Sequence, residues 1–181
     1  MSKARVATAS LAGCFGCHMS ILDIDERILT LIELIEFHKS PINDIKTFSE
    51  RCAVGILEGG CCNEENVEVL RRFRENCDIL IACGECAIMG GIPAMRNGIP
   101  LEECLREAYR TGPTVYNPSG RIPSDKELPL LLDRVYPVQE VVKIDYSLPG
   151  CPPSADTIWQ ALTALLNNEP MNLPYELIKY D

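Results

Sequence analysis

Two cysteines, Cys14 and Cys17, are separated by only Phe15 and Gly16 in the run Leu11-Ala12-Gly13-Cys14-Phe15-Gly16-Cys17-His18. Two thiolates at this spacing can grip one metal centre from a single turn of chain, and the flanking glycines let the backbone approach it. The pattern recurs at Cys83-Gly84-Glu85-Cys86, and single or adjacent cysteines follow at Gly150-Cys151-Pro152-Pro153 and Glu58-Gly59-Gly60-Cys61-Cys62. We read Cys14 and Cys17 as half of an iron–sulfur site. Ten cysteines in 181 residues also suit a disulfide framework, but such frameworks belong to short, loop-rich secreted domains. Reduced thiols that bind metal in a cytosolic protein are the expectation here.

The elements around these cysteines decide whether they can meet. Residues 5–9 read as a buried strand, and Ile21, Leu22, Ile24, Ile28, Leu31, Ile32 and Ile35 fall at helical spacing, predicting a helix over 20–38 stopped by Ser40-Pro41. Residues 52–57 predict a second strand and Asn63 caps a helix carrying Val67, Leu70, Phe73 and Cys77. Residues 78–82 predict a third strand, 101–110 a helix, and 141–145 a fourth strand. Ser154 caps a last helix with Ile158, Leu162, Leu165 and Leu166, followed by a tail from Glu169. The stretch 111–137 holds five prolines, with helical potential only over 126–134, and reads as an interaction surface. Residues 42–48 are a connection or a short strand.

Four strand–helix alternations predict an α/β fold: an open parallel sheet of about four strands with helices on both faces. Every strand would then run into a cysteine-bearing turn at the carboxyl edge, where such sheets bind ligands. Four thiolates from separated turns suit a cubane [4Fe–4S] cluster. Cys14/Cys17 with Cys83/Cys86 also meet the spacing of a zinc site. A thioredoxin-like redox pair would leave Gly150-Cys151-Pro152-Pro153 without a purpose.

Taken in order, Leu11 to His18 with Asp23-Ile24-Asp25-Glu26-Arg27, then Leu57-Glu58-Gly59, Gly84-Glu85-Cys86-Ala87, Gly90-Gly91-Ile92-Pro93 and Pro149-Gly150-Cys151-Pro152-Pro153 resemble the small subunits of [NiFe] hydrogenases, most of all the cytoplasmic NAD-reducing bidirectional type. The resemblance implies that residues 1–181 form one flavodoxin-like iron–sulfur domain, with 111–137 an interface segment inside it. It implies one [4Fe–4S] cluster on Cys14, Cys17, Cys86 and Cys151. Electrons would pass through that cluster between a Ni–Fe site in a large subunit and flavin/iron–sulfur subunits that carry FMN and reduce NAD. The Ni–Fe centre, FMN and NAD would belong to those partners, and no catalytic residue to this chain. Longer relatives add a cysteine-rich domain and exported ones a twin-arginine signal; neither is expected here. A complex I-like subunit is the alternative, although its first loop carries adjacent cysteines where this one reads Cys14-Phe15-Gly16-Cys17. A zinc-stabilised or flavin-binding interaction module is the alternative from another class.

The net charge of −9 and a pI near 4.8 argue against nucleic acid and anionic membrane surfaces as partners. No stretch has the length of a membrane span, so no membrane insertion is expected. Leu11-Ala12-Gly13-Cys14 after Lys3 and Arg5 mimics a lipoprotein cleavage site, but the apolar run 6–12 is short and broken by Thr8 and Ser10. Cys52, Cys77 and Cys104 read as small buried hydrophobes, and Cys61, Cys62 and Cys83 as non-ligands. His18 is expected to donate to a carbonyl or approach the cluster. Glu58 reads as a solvated strand end, with a role beside the large-subunit site as the alternative that the Glu58-Gly59 match implies, and the apolar face of the first helix reads as core.

Overall fold

The computed structural model describes residues 3–167 and 169–178. Five strands form one wholly parallel sheet: β1 (Ala4–Ser10), β2 (Ile35–Lys39), β3 (Cys52–Glu58), β5 (Cys77–Cys83) and β7 (Tyr146–Leu148). A separate antiparallel ribbon pairs β4 (Cys61–Asn63) with β6 (Leu131–Tyr136). The parallel sheet has the order β2-β1-β3-β5-β7, a doubly wound arrangement in which the chain reverses its direction of travel after β2.

Alternation along each strand sends side chains to two separate cores. Val6, Val54, Ile56, Ile81 and Leu148 face one side. There they meet Ile21 of α1 (Gly16–Leu22), Leu31 of α2 (Ile28–Leu34), and Ile158, Ala161 and Leu162 of α6 (Ala155–Leu166). Ala7, Ala9, Leu57, Leu80 and Ala82 face the other side. They pack on Leu70 and Phe73 of α3 (Glu64–Asn76) and on Ala87 of α4 (Glu85–Met89). Both predicted caps form: Asn63 accepts the Asn66 N–H at 2.8 Å, and Ser154 accepts the Thr157 N–H at 3.1 Å.

Among the described residues the parallel sheet has five strands, not about four. The expected helix over 20–38 is a short α1, a 3₁₀ turn at Asp25–Arg27, and α2, which passes directly into β2. Ile35 already has φ −121° and ψ 160°, so the change from helix to strand occurs without a glycine or proline to mark it. Ile35-Glu36-Phe37 fits a helix stripe as well as a strand edge, and pairing with β1 decides it.

Three further boundaries move. The helical potential over 126–134 gives way to β6, whose Val135 exchanges two hydrogen bonds with the Asn97 side chain, at 2.7 and 2.8 Å. The strand expected over 141–145 lies at β7, beyond a 3₁₀ turn at Val138–Glu140 and its following bend. The helix over 101–110 is α5 (Leu101–Arg106) continued by a π turn, Glu107–Thr111, and the tail contains a short α7 (Tyr175–Ile178). Among the described residues, no helix is long and apolar enough to cross a membrane.

Candidate metal-cluster site

The carboxyl edge of the sheet is built from three turns tied to one another through the backbone. Leaving β1, Leu11 N–H donates to Glu58 O at 2.9 Å, while Ala12 and Gly60 exchange bonds at 3.0 and 2.8 Å. This holds the Cys14–Cys17 turn against the end of β3. Leaving β5, Gly84 N–H donates to Leu148 O at 2.9 Å and Glu85 N–H to Gly150 O at 3.0 Å, which joins the Cys86 turn to the Cys151 turn.

These turns enclose a cavity of about 60 Å³ lined by Cys14, Cys17, Cys86 and Cys151, with Glu58, Glu85 and Gly59 among its walls. Cys17 lies in the first turn of α1 and Cys86 in the first turn of α4, so two of the four thiols are carried on helix starts rather than on free loop. Cys14 and Cys151 are exposed, Cys17 and Cys86 half-buried.

The thiols sense one another. Burial raises the Cys86 pKa, and the charges of Cys151, Cys17 and Cys14 raise it further, against a hydrogen bond from the Ile92 backbone. Burial, Glu85, Cys14 and Cys17 likewise raise Cys151. Cys17 is raised by a hydrogen bond with Cys83, then by burial and by the Glu58 charge. Four thiolates crowded beside a carboxylate repel, so a bound cationic group is what would stabilise them together.

Two observations bear on which group fits. Gly84 (φ +82°) and Gly91 (φ +50°) leave room for the sulfurs: a Cβ on Gly84 would overlap the Cys17 Sγ, and one on Gly91 would come within 2.9 Å of the Cys86 Sγ. A single zinc ion needs its sulfurs about 2.3 Å away. Among the described residues, no group of three or more His, Cys, Asp or Glu is disposed to hold one metal ion. Cys14, Cys17, Cys86 and Cys151 line one cavity, and four cysteines are the ligand type of iron–sulfur clusters.

The other cysteines fall elsewhere. Cys52 and Cys77 are buried and face each other in register across β3 and β5, at the opposite end of the sheet; burial pushes Cys77 up to about 12. Cys61 is buried in β4 and raised to about 11 by burial and then by Cys62. Cys104 is half-buried on α5, and Cys83 is buried behind Cys17. Glu58 is not a solvated strand end: it is 2% exposed and lines the cavity. Burial would raise its pKa, yet the nearby His18 ring, Ser10 and the His18 backbone N–H outweigh this and hold the carboxyl below its ordinary value. The His18 ring meets Glu58 and Thr8 rather than a carbonyl, and stacks on Phe15 at 4.5 Å. The first helix is core only in part, since Leu22, Leu29, Ile32 and Leu34 remain exposed.

A doubly wound parallel sheet whose carboxyl edge gathers cysteines from three turns around one cavity defines an α/β protein with a thiol-lined site. Comparison with known proteins specifies it further. The profile of the family described as "NADH ubiquinone oxidoreductase, 20 Kd subunit" matches residues 14–165. The chain is 49% identical over 180 residues to the delta subunit of the NAD-reducing hydrogenase HoxS of Cupriavidus necator, covering 99% of this chain and 86% of that one. It is 40% identical to a subunit of the F420-non-reducing hydrogenase of Methanothermobacter thermautotrophicus, covering 95% of this chain and 56% of that one. Its fold superimposes on a crystal structure of an NAD+-reducing [NiFe]-hydrogenase in the H2-reduced state with a TM-score of 0.95 and 50% identity, over 99% of this chain and all of the other. The chain belongs to the family of the 20 Kd subunit of NADH ubiquinone oxidoreductase, among its hydrogenase members.

Proposed function

We propose that this chain is the electron-transfer subunit of a cytoplasmic NAD-reducing [NiFe] hydrogenase. Its flavodoxin-like domain would hold one [4Fe–4S] cluster on Cys14, Cys17, Cys86 and Cys151. The observation that carries the reading is the single cavity lined by these four thiols, in a chain 49% identical to a hydrogenase delta subunit. When bound, the cluster supplies a one-electron carrier.

The chain's own residues do the rest. The three turns position the thiols through the backbone bonds from Leu11, Ala12, Gly60, Gly84 and Glu85. The buried Glu58 places negative charge in the cavity wall, where charge, burial and hydrogen bonding tune a cluster's potential. With four cysteine ligands there is no vacant position for a substrate. His18, engaged with Glu58 and Thr8, is committed to structure rather than to a nucleophile. Hydrogen chemistry at Ni–Fe would lie in a large subunit, and NAD reduction in flavin and iron–sulfur subunits.

Isotope exchange separates relay from chemistry. In an assembled, Ni-loaded complex, Cys14→Ser is expected to abolish hydrogen-dependent NAD reduction while sparing hydrogen–deuterium exchange. Loss of both together would mean that this chain takes part in the chemistry.

A further inference from the structure

From the cavity a line of buried polar side chains runs beneath the sheet edge. Glu58, His18, Thr8 and Ser40 are each no more than 2% exposed. His18 Nδ1 lies 3.1 Å from Glu58 Oε1, and the His18 backbone N–H donates to Glu58 Oε2 at 3.0 Å. His18 Nε2 lies 2.8 Å from Thr8 Oγ1, which lies 2.6 Å from Ser40 Oγ. The Ile42 N–H donates to Ser40 Oγ at 3.1 Å. Thr8 and Ser40 also line a second cavity, of about 250 Å³, with Lys39, Asp44 and Lys46.

With a neutral His18 imidazole, one polarity of the chain leaves no lone pairs opposed. Ser40 Oγ accepts from Ile42, so its own proton is free for Thr8. Thr8 has a single proton, which then goes to His18 Nε2, and this leaves Nδ1 as the N–H facing the Glu58 carboxylate. The reverse polarity would set a bare Nδ1 lone pair against a carboxylate oxygen. Among the described residues, the His18 Nδ1 and Glu58 Oε1 atoms are not in a well-directed hydrogen bond and have no other partner. Their approach therefore depends on the ring being held from its far side, by Thr8 and Ser40.

We propose that Thr8 and Ser40 are positioning residues that, through His18, hold the Glu58 carboxylate in the cavity wall, where its charge lowers the cluster's reduction potential. Neither residue touches the cavity that Glu58 lines. The proposal rests on the cluster reading given above.

The test uses the complex of this chain with its hydrogenase large subunit, with iron per chain measured first. The cluster's midpoint potential is then followed by electron paramagnetic resonance during a redox titration. Glu58→Gln, which keeps the shape and removes the charge, raises the potential by about 59 mV or more, a tenfold change in a one-electron equilibrium. Thr8→Val raises it in the same direction, Thr8→Ser restores the wild-type value, and Ser40→Ala gives a smaller rise. Wild-type potentials in fully iron-loaded Thr8→Val and Ser40→Ala, beside a shifted Glu58→Gln, overturn the positioning role. An unshifted Glu58→Gln overturns the charge effect. If Thr8→Val does not assemble, Ser40→Ala decides alone. A wild-type chain without iron overturns the cluster reading and this proposal with it, and is seen before any potential is measured.

Discussion

Gly84 and Cys17 compete for one volume: a Cβ on Gly84 would overlap the Cys17 sulfur, although the two residues lie in turns after different strands. Gly84 also has φ 82° and ψ 162°, a conformation open essentially to glycine alone. Gly84→Ala is expected to destabilise the chain by about 1–3 kcal/mol through backbone strain and to displace Cys17. Iron per chain and the denaturation midpoint are the readouts. Gly98→Ala, with nothing within 4 Å of the added carbon, is the control expected to change neither.

Single Ala replacements of Cys14, Cys17, Cys86 or Cys151 should each lower iron content and extinguish the cluster's absorption. Cys52→Ala and Cys77→Ala, at the far end of the sheet, should keep iron and cost about 1–2 kcal/mol of packing. Cys83 is the discriminating position, since it lies buried behind Cys17. Full iron in Cys86→Ala with loss in Cys83→Ala would reverse the assignment on that turn.

Asp145 makes a pH-dependent contribution to stability. Burial alone would raise its pKa, but the Arg74 guanidinium at 2.7 Å and the Leu80 N–H at 2.8 Å hold it below its ordinary 3.8. A depressed folded-state value means the contribution is complete above the unfolded pKa and is lost as pH falls through the folded one. Asp145→Asn should therefore destabilise by about 1–2 kcal/mol, unchanged from pH 8 to 5, with the difference from wild type shrinking below about pH 4. Urea midpoints of both proteins across this range check it. A difference that grew on acidification would contradict the sign.

Beside the cavity, Met89, Ile92, Met95 and Ile99 present exposed apolar side chains, with Ile92 71% and Met95 76% exposed. Large apolar side chains exposed this closely together in the sequence are what a protein contact would cover. Ile92→Glu together with Met95→Glu should prevent co-purification with the large subunit while leaving the circular dichroism spectrum unchanged. Changes within 111–137, such as Tyr116→Ala at a 92% exposed side chain, test the second proposed contact in the same pull-down.

That the cysteines would meet is legible in the local patterns of the chain. Alternating strands and helices point to a parallel sheet, and a parallel sheet brings every strand end to one edge, so Cys14/Cys17, Cys83/Cys86, Cys151 and Cys61-Cys62 could be placed there from pattern, while the choice of Cys14, Cys17, Cys86 and Cys151 among them is what the family resemblance implies. The caps at Asn63 and Ser154 were equally legible because they depend on contacts three residues away. Other features depend on partners distant in the chain, which local pattern does not carry. Strand β2 exists because Ile35–Lys39 finds β1 to pair with, and β6 because Leu131–Tyr136 finds β4, partners distant in the chain. Glu58 follows the same rule. A glutamate at a strand end is ordinarily solvated, and it is buried here because His18, forty residues earlier, satisfies it. His18 is held in turn by Thr8 and Ser40, from two other parts of the chain. Such a carboxylate is stable only when every partner is in place, and that condition belongs to the assembled fold.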